Sequence, residues 1–176
     1  MRQFFRFMFI FVVVGIPFVN NTAAQVYAQQ GGEAAPEITI TMTDSLVNLE
    51  EGRVETRDEE GALLLNPGDN IRFHIEAENI GTDAAYDVEV VYPIPEGTEY
   101  IMESAKGPAA LITYSIDGGD TFVLPTVMYS ERNADGVLEE KPAPASMFTH
   151  VKWRFSEPIQ PLEKKFGQVV VKVSDQ

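Results

Sequence analysis

The densest run of chemically capable side chains is Ser115-Ile116-Asp117-Gly118-Gly119-Asp120-Thr121-Phe122. Its pattern, Ser-x-Asp-x-Gly-x-Thr-aromatic, sets two carboxylates on a glycine-rich turn. Asp117 and Asp120 could offer hard oxygen ligands to Ca²⁺, but such a site takes roughly six or more oxygens. A distant loop would have to supply the others, so the pair is a weak metal candidate and no metal is assigned. The two histidines, His74 and His150, stand in no motif. A transition-metal site wants two or three convergent His or Cys ligands, and the chain contains no cysteine. A serine nucleophile wants a positioned base and an oxyanion hole, and no Gly-x-Ser-x-Gly elbow is present. The carboxylate groups Glu50-Glu51, Asp58-Glu59-Glu60 and Glu139-Glu140 are adjacent in sequence. They therefore fall on opposite faces of a strand or in loops, as solvated charge does. These residues imply a non-enzyme without a cofactor.

The elements that would position them read as strands. Residues 37–43 alternate with period two and put Ile38, Ile40 and Met42 on one face. Residues 46–54 form a weaker extended segment, and the polar turn 57–61 leads to residues 62–65 as a long hairpin. After Asn66-Pro67-Gly68-Asp69 breaks the chain, Ile71, Phe73, Ile75 and Ala77 alternate with polar neighbours. Asn79 to Asp83, containing Gly81, is a turn, and Tyr86, Val88, Val90 and Tyr92 alternate until Pro93 and Pro95 end the ladder. These two strands are expected to pair as antiparallel neighbours. Residues 98–102 resume an extended run, and residues 111–116 pass through the Asp117-Gly118-Gly119-Asp120 turn into residues 121–123 as a tight hairpin. Residues 124–146, with Pro125, Pro142 and Pro144, read as a long loop. Residues 148–155 and 166–173 are the last two strands, and Trp153, the only tryptophan, is expected to anchor the core.

Strands recur at roughly ten-residue spacing without an amphipathic helix. The expected fold is all-β, an immunoglobulin-like antiparallel β-sandwich of about seven to nine strands, with a closed barrel as the alternative. No internal repeat is present.

The N-terminus carries a separate message. Arg2 and Arg6 precede an apolar run over residues 7–19, broken by Gly15 and Pro17. Such a run is shorter than the roughly 20 residues of a membrane span, and small residues follow it, as in a secretory signal. Cleavage after Ala28 is favoured, and cleavage after Ala24 or an uncleaved anchor remains open. The expected organisation is a signal peptide 1–28, a flexible leader 29–36 rich in Gln, Gly, Glu and Ala, and one domain 37–176. Residues 1–28 hold two arginines and no acid, so their removal takes the net charge from -14 to -16. An acidic field of this size argues against nucleic acid and anionic headgroups as partners. The expected location is outside the cytoplasm, with no membrane insertion after cleavage.

At Asn66-Pro67-Gly68-Asp69 the chain resembles a motif of the conserved-repeat domain of bacterial and archaeal surface proteins, domain of unknown function 11. The residues that carry the likeness are Pro67-Gly68-Asp69, Glu78-Asn79-Ile80-Gly81, Asp87-Val88 and Pro93-Ile94-Pro95-Glu96-Gly97-Thr98. The box run from Tyr114 to Phe122 and Thr149-His150-Val151-Lys152-Trp153 resemble a subset with one such domain behind a signal peptide. The family usually has Pro-Gly before its last strand, where this chain has Pro161-Leu162. The resemblance covers roughly residues 38–173 and implies an immunoglobulin-like sandwich at the cell surface, with no reaction attached. Physically, Pro67 and Gly68 make a turn, Asp69 can accept backbone hydrogen bonds, and the prolines force the strand from its sheet.

The box run is also similar to the hairpin turns of sialidase propellers. A propeller needs one such turn per blade, and a single copy reads as a self-stabilised turn. Three functions follow as expectations. The first is a structural or adhesive module contacting surface proteins, glycans or its own copies through loops or a sheet edge. The second is a filament subunit, in which the leader and the strand 37–43 add to the exposed sheet edge of a neighbouring copy, and the third, remote, is a glycan hydrolase using Asp117.

Overall fold

The computed structural model describes residues 35–47 and 55–174. The signal peptide 1–28, leader residues 29–34 and residues 48–54 of the second extended segment lie outside the described residues.

Alternation in sequence becomes alternation in burial, because side chains on a strand point to opposite faces. Ile71, Phe73, Ile75 and Ala77 are buried, and so are Val151, Trp153, Phe155, Val169, Val171 and Val173. The strands are β1 (Ile38–Val47), β2 (Asn70–Asn79), β3 (Glu89–Pro93), β4 (Thr98–Tyr100), β5 (Ala110–Ser115), β6 (Met128–Arg132), β7 (Leu138–Pro142), β8 (His150–Phe155) and β9 (Lys164–Val173). One sheet has the order β1-β2-β9-β4 and another the order β3-β8-β5, while β6 and β7 pair only with each other. All pairings are antiparallel.

The chain is thus all-β, with two antiparallel sheets facing each other across a shared core. The Phe73 ring of β2 meets the Tyr92 ring of β3 at 5.1 Å, and Tyr100 of β4 meets Tyr114 of β5 at 5.5 Å. An immunoglobulin constant domain sets its fifth strand beside the second and its seventh beside the sixth. Leaving out the β6–β7 hairpin, the fifth strand here (β5) lies beside β8 and the last (β9) beside β2. The two layers are as expected, and the strand order differs by this exchange.

Two expectations are corrected. β2 and β3 do not pair: β2 lies between β1 and β9, and β3 pairs with β8 in the other sheet. The connection after Asn79 crosses from one layer to the other rather than folding back. Residues 124–146 are not a loop, since they hold β6, β7 and a single 3-10 turn, Ala145–Met147. The Asn133 side chain accepts from the Asp135 and Val137 amides, 3.0 Å each, and closes that hairpin. The polar turn 57–61 is present with a single bridge, Arg57 to Leu63.

Trp153 lies in the core with no exposed surface. Its indole N–H donates to the Lys106 carbonyl at 2.9 Å. Glycine is required where its ring lies: a Cβ on Gly167 would sit 3.1 Å from the ring, and one on Gly107 2.7 Å from it.

The punctuation residues fall at the sandwich ends. Gly68, at φ 87°, follows Pro67 in a turn where the Asn66 amide donates to Asp69 Oδ2 at 2.7 Å. β3 ends at Pro93, and the Pro95 carbonyl accepts from the Thr98 amide at 3.1 Å across the Gly97 turn. At the departure from the family pattern, Leu162 takes the glycine-like φ of 66° and stays 77% exposed.

Candidate functional site

The box turn is held by its own side chains. Ser115 is buried, and its hydroxyl donates to Asp117 Oδ1 at 2.7 Å while accepting from the Gly119 amide at 2.9 Å. Asp117 Oδ1 also accepts from the Thr121 amide at 3.0 Å, and Oδ2 from the Thr121 hydroxyl at 2.5 Å. Thr149, which precedes β8, ties the turn down: its Oγ1 accepts from the Gly118 amide at 3.1 Å and contacts His150 Nδ1 at 3.1 Å. Beyond the turn, Tyr114 and Val123 exchange two backbone bonds of 2.9 Å. Lys152 Nζ stands 4.4 Å from the Phe122 ring centroid, and the His150 ring meets that ring edge-on at 6.4 Å.

These bonds run within the turn or between it and Thr149. Both Asp117 oxygens are spent on the turn, while Asp120 is exposed and makes no hydrogen bond or ion pair with a described residue. Among the described residues, no group of three or more His, Asp or Glu side chains converges. His74 lies on the opposite sheet, stacked on Phe166 at 5.4 Å.

The Thr121 hydroxyl and amide, followed by the Ser115 hydroxyl, hold the Asp117 carboxyl down at about 2. A depressed folded-state pKa gives stability that is present above the ordinary value of 3.8 and is lost as pH falls through about 2. Asp117→Asn is therefore expected to melt below the parent protein at neutral pH. The gap should close as pH approaches 2, and calorimetry over that range reads it. A constant gap would mean that the charge of Asp117 is not what holds the turn.

The structure brings Ser115, Asp117, Gly119, Thr121 and Phe122 together with Thr149, His150 and Lys152. It does not bring Pro67, Gly68 and Asp69, or Asn79 and Gly81, or Pro93, Pro95 and Gly97, to that place: each group organises its own turn.

A second candidate is the outer edge of β1. The Glu37 carbonyl accepts from the Ile80 amide at 2.8 Å. Odd-numbered residues of β1 thus turn their backbone groups toward β2, and even-numbered residues turn theirs outward. Near the C-terminal end, side chains meet those outward groups: the Leu46 amide donates to Glu55 Oε2 at 3.0 Å, and Arg57 Nη2 donates to the Asp44 carbonyl at 2.8 Å. The outward N–H and C=O of Ile38, Ile40 and Met42 have no partner among the described residues. An open sheet edge and strand addition through residues 37–43 are expectations of the sequence, but the part of β1 left open is set by its neighbours, β2 on one side and the Arg57 and Glu55 side chains at its end.

No protein family, curated protein or solved structure matches the chain. The functional reading therefore rests on its own residues. Among those described, no helix is long and apolar enough to cross a membrane.

Proposed function

We infer that the chain is a non-catalytic, exported module of a cell envelope, making protein or glycan contacts through its loops and an open sheet edge. The observation that carries this reading is the ten-residue β1, hydrogen-bonded to β2 along one side and, among the described residues, open on the other from Ile38 to Met42. Sheet edges are common sites of backbone recognition, and proteins that do not use them blunt them with charge, proline or cover. The basic, apolar and small-residue order of residues 1–28 supports export, and the acidic charge disfavours nucleic acid. The motif likeness supports a place in the conserved-repeat family and its immunoglobulin-like class.

The second reading, a filament built by strand addition, draws on the same edge, with leader residues of one copy lying along β1 of the next. A glycan hydrolase finds no support in the box turn, whose carboxylate is committed to the turn.

Cell fractionation with mass analysis of the full-length gene product tests export. The expected result is a chain outside the cytoplasm that begins at Gln29. An uncut chain in the cytosol would contradict the proposal.

A further inference from the structure

We propose that two copies of the chain join through β1, edge to edge and antiparallel about a two-fold axis at Ile40, merging two four-stranded sheets into one. The inference deepens the reading of β1 as a contact edge by naming its occupant as a second copy.

Three features argue for that occupant. The free strip is bounded on both sides, by Pro36, which has no N–H, and by the Arg57 and Glu55 cap over Asp44 and Leu46. What remains open among the described residues is Ile38, Ile40 and Met42, symmetric about Ile40, so the strip is complementary to itself under a two-fold rotation. Each hydrogen-bonded antiparallel pair exchanges two bonds, so matching Ile38 with Met42, and Ile40 with itself, forms about six. Residues 38–43 read Ile-Thr-Ile-Thr-Met-Thr, without charge, in a chain of net charge -14. Two copies repel over most of their surfaces, and here they can meet without opposing like charges.

The other long edges are less open. Val123 bridges to the outer side of β5 at Tyr114, and β3 carries Glu89 and Pro93. Edge strands of high β-propensity are usually protected by lysine or proline, and the open half of β1 holds neither.

In this register Thr39 of one copy faces Thr41 of the other in a non-hydrogen-bonded pair, with Cα atoms about 4.5 Å apart, within disulfide reach. Thr39 of one copy and Thr39 of the other are diagonal neighbours at about 7–8 Å, at or beyond that reach. The parent chain has no cysteine, so every cross-link reports the introduced pair.

The test uses the exported chain purified from expressing cells. Sedimentation across a concentration series should show a monomer–dimer equilibrium, and Thr41→Lys, folded by circular dichroism, should remain monomeric. Under mild oxidation a mixture of Thr39→Cys and Thr41→Cys chains should form the cross-linked dimer several-fold more than either chain alone. A parent chain that is monomeric throughout, an open-ended series of polymers, or equal cross-linking by Thr39→Cys alone would overturn the pairing. An exported monomer would leave the envelope reading standing, whereas a cytosolic chain would remove that reading whatever its oligomeric state.

Discussion

Replacing Asn79 with alanine is expected to remove about 3 kcal/mol or more of folding free energy, read as a lower urea midpoint at unchanged slope. The Asn79 side chain is fully buried at the end of β2. Its amide donates to the Asp83 carbonyl at 2.7 Å and the Ile159 carbonyl at 2.8 Å. Its carbonyl accepts from the Gly81 amide at 3.0 Å and the Glu37 amide at 3.2 Å. One side chain thus ties the start of β1, the crossing between sheets and the connection into β9. Alanine leaves these groups without partners, each at about 1–3 kcal/mol where water cannot replace the bond. Asn79→Asp should fail in a related way, since a carboxylate keeps the acceptor but repels both carbonyls. A change below about 0.5 kcal/mol, ordinary for a surface site, would mean that the network does not hold the crossing.

Trp153→Ala should have an effect of about 3–5 kcal/mol, as large-to-small substitutions of buried aromatics do. The indole fills a slot whose floor is made by Gly107 and Gly167, which come close to the ring because neither carries a Cβ. Removing the ring leaves a cavity and an unmet Lys106 carbonyl. With domain stabilities of about 5–15 kcal/mol, the variant should be partly unfolded at modest temperature. Equilibrium denaturation followed by circular dichroism measures it, and a near-native midpoint would place Trp153 outside the core.

The strands were legible where one face is buried and the other wet, as in β2, β8 and β9, because period-two burial leaves period-two sequence. The box turn was legible for a local reason: Ser115, Asp117 and Thr121 bond within a few residues of one another. Pairing was not. The polar stretch from Asn79 to Asp83 suits a hairpin as well as a crossing between layers, and β9, the actual partner of β2, lies far along the chain. The β6–β7 hairpin was missed because it packs between no layers, so no apolar rhythm marks it. Only the turn residues Asn133, Asp135 and Gly136 could have announced it. An open edge was expected, but which backbone groups of β1 stay free was not legible, since a strand is an edge only by virtue of its neighbours.

The most direct measurement of the two-sheet arrangement is nuclear Overhauser contact between backbone protons of opposed strands. The arrangement predicts contacts of β2 with β9, Phe73 opposite Val169, and of β3 with β8, Val90 opposite Trp153. Backbone contacts between β2 and β3, as in a simple hairpin, would contradict it.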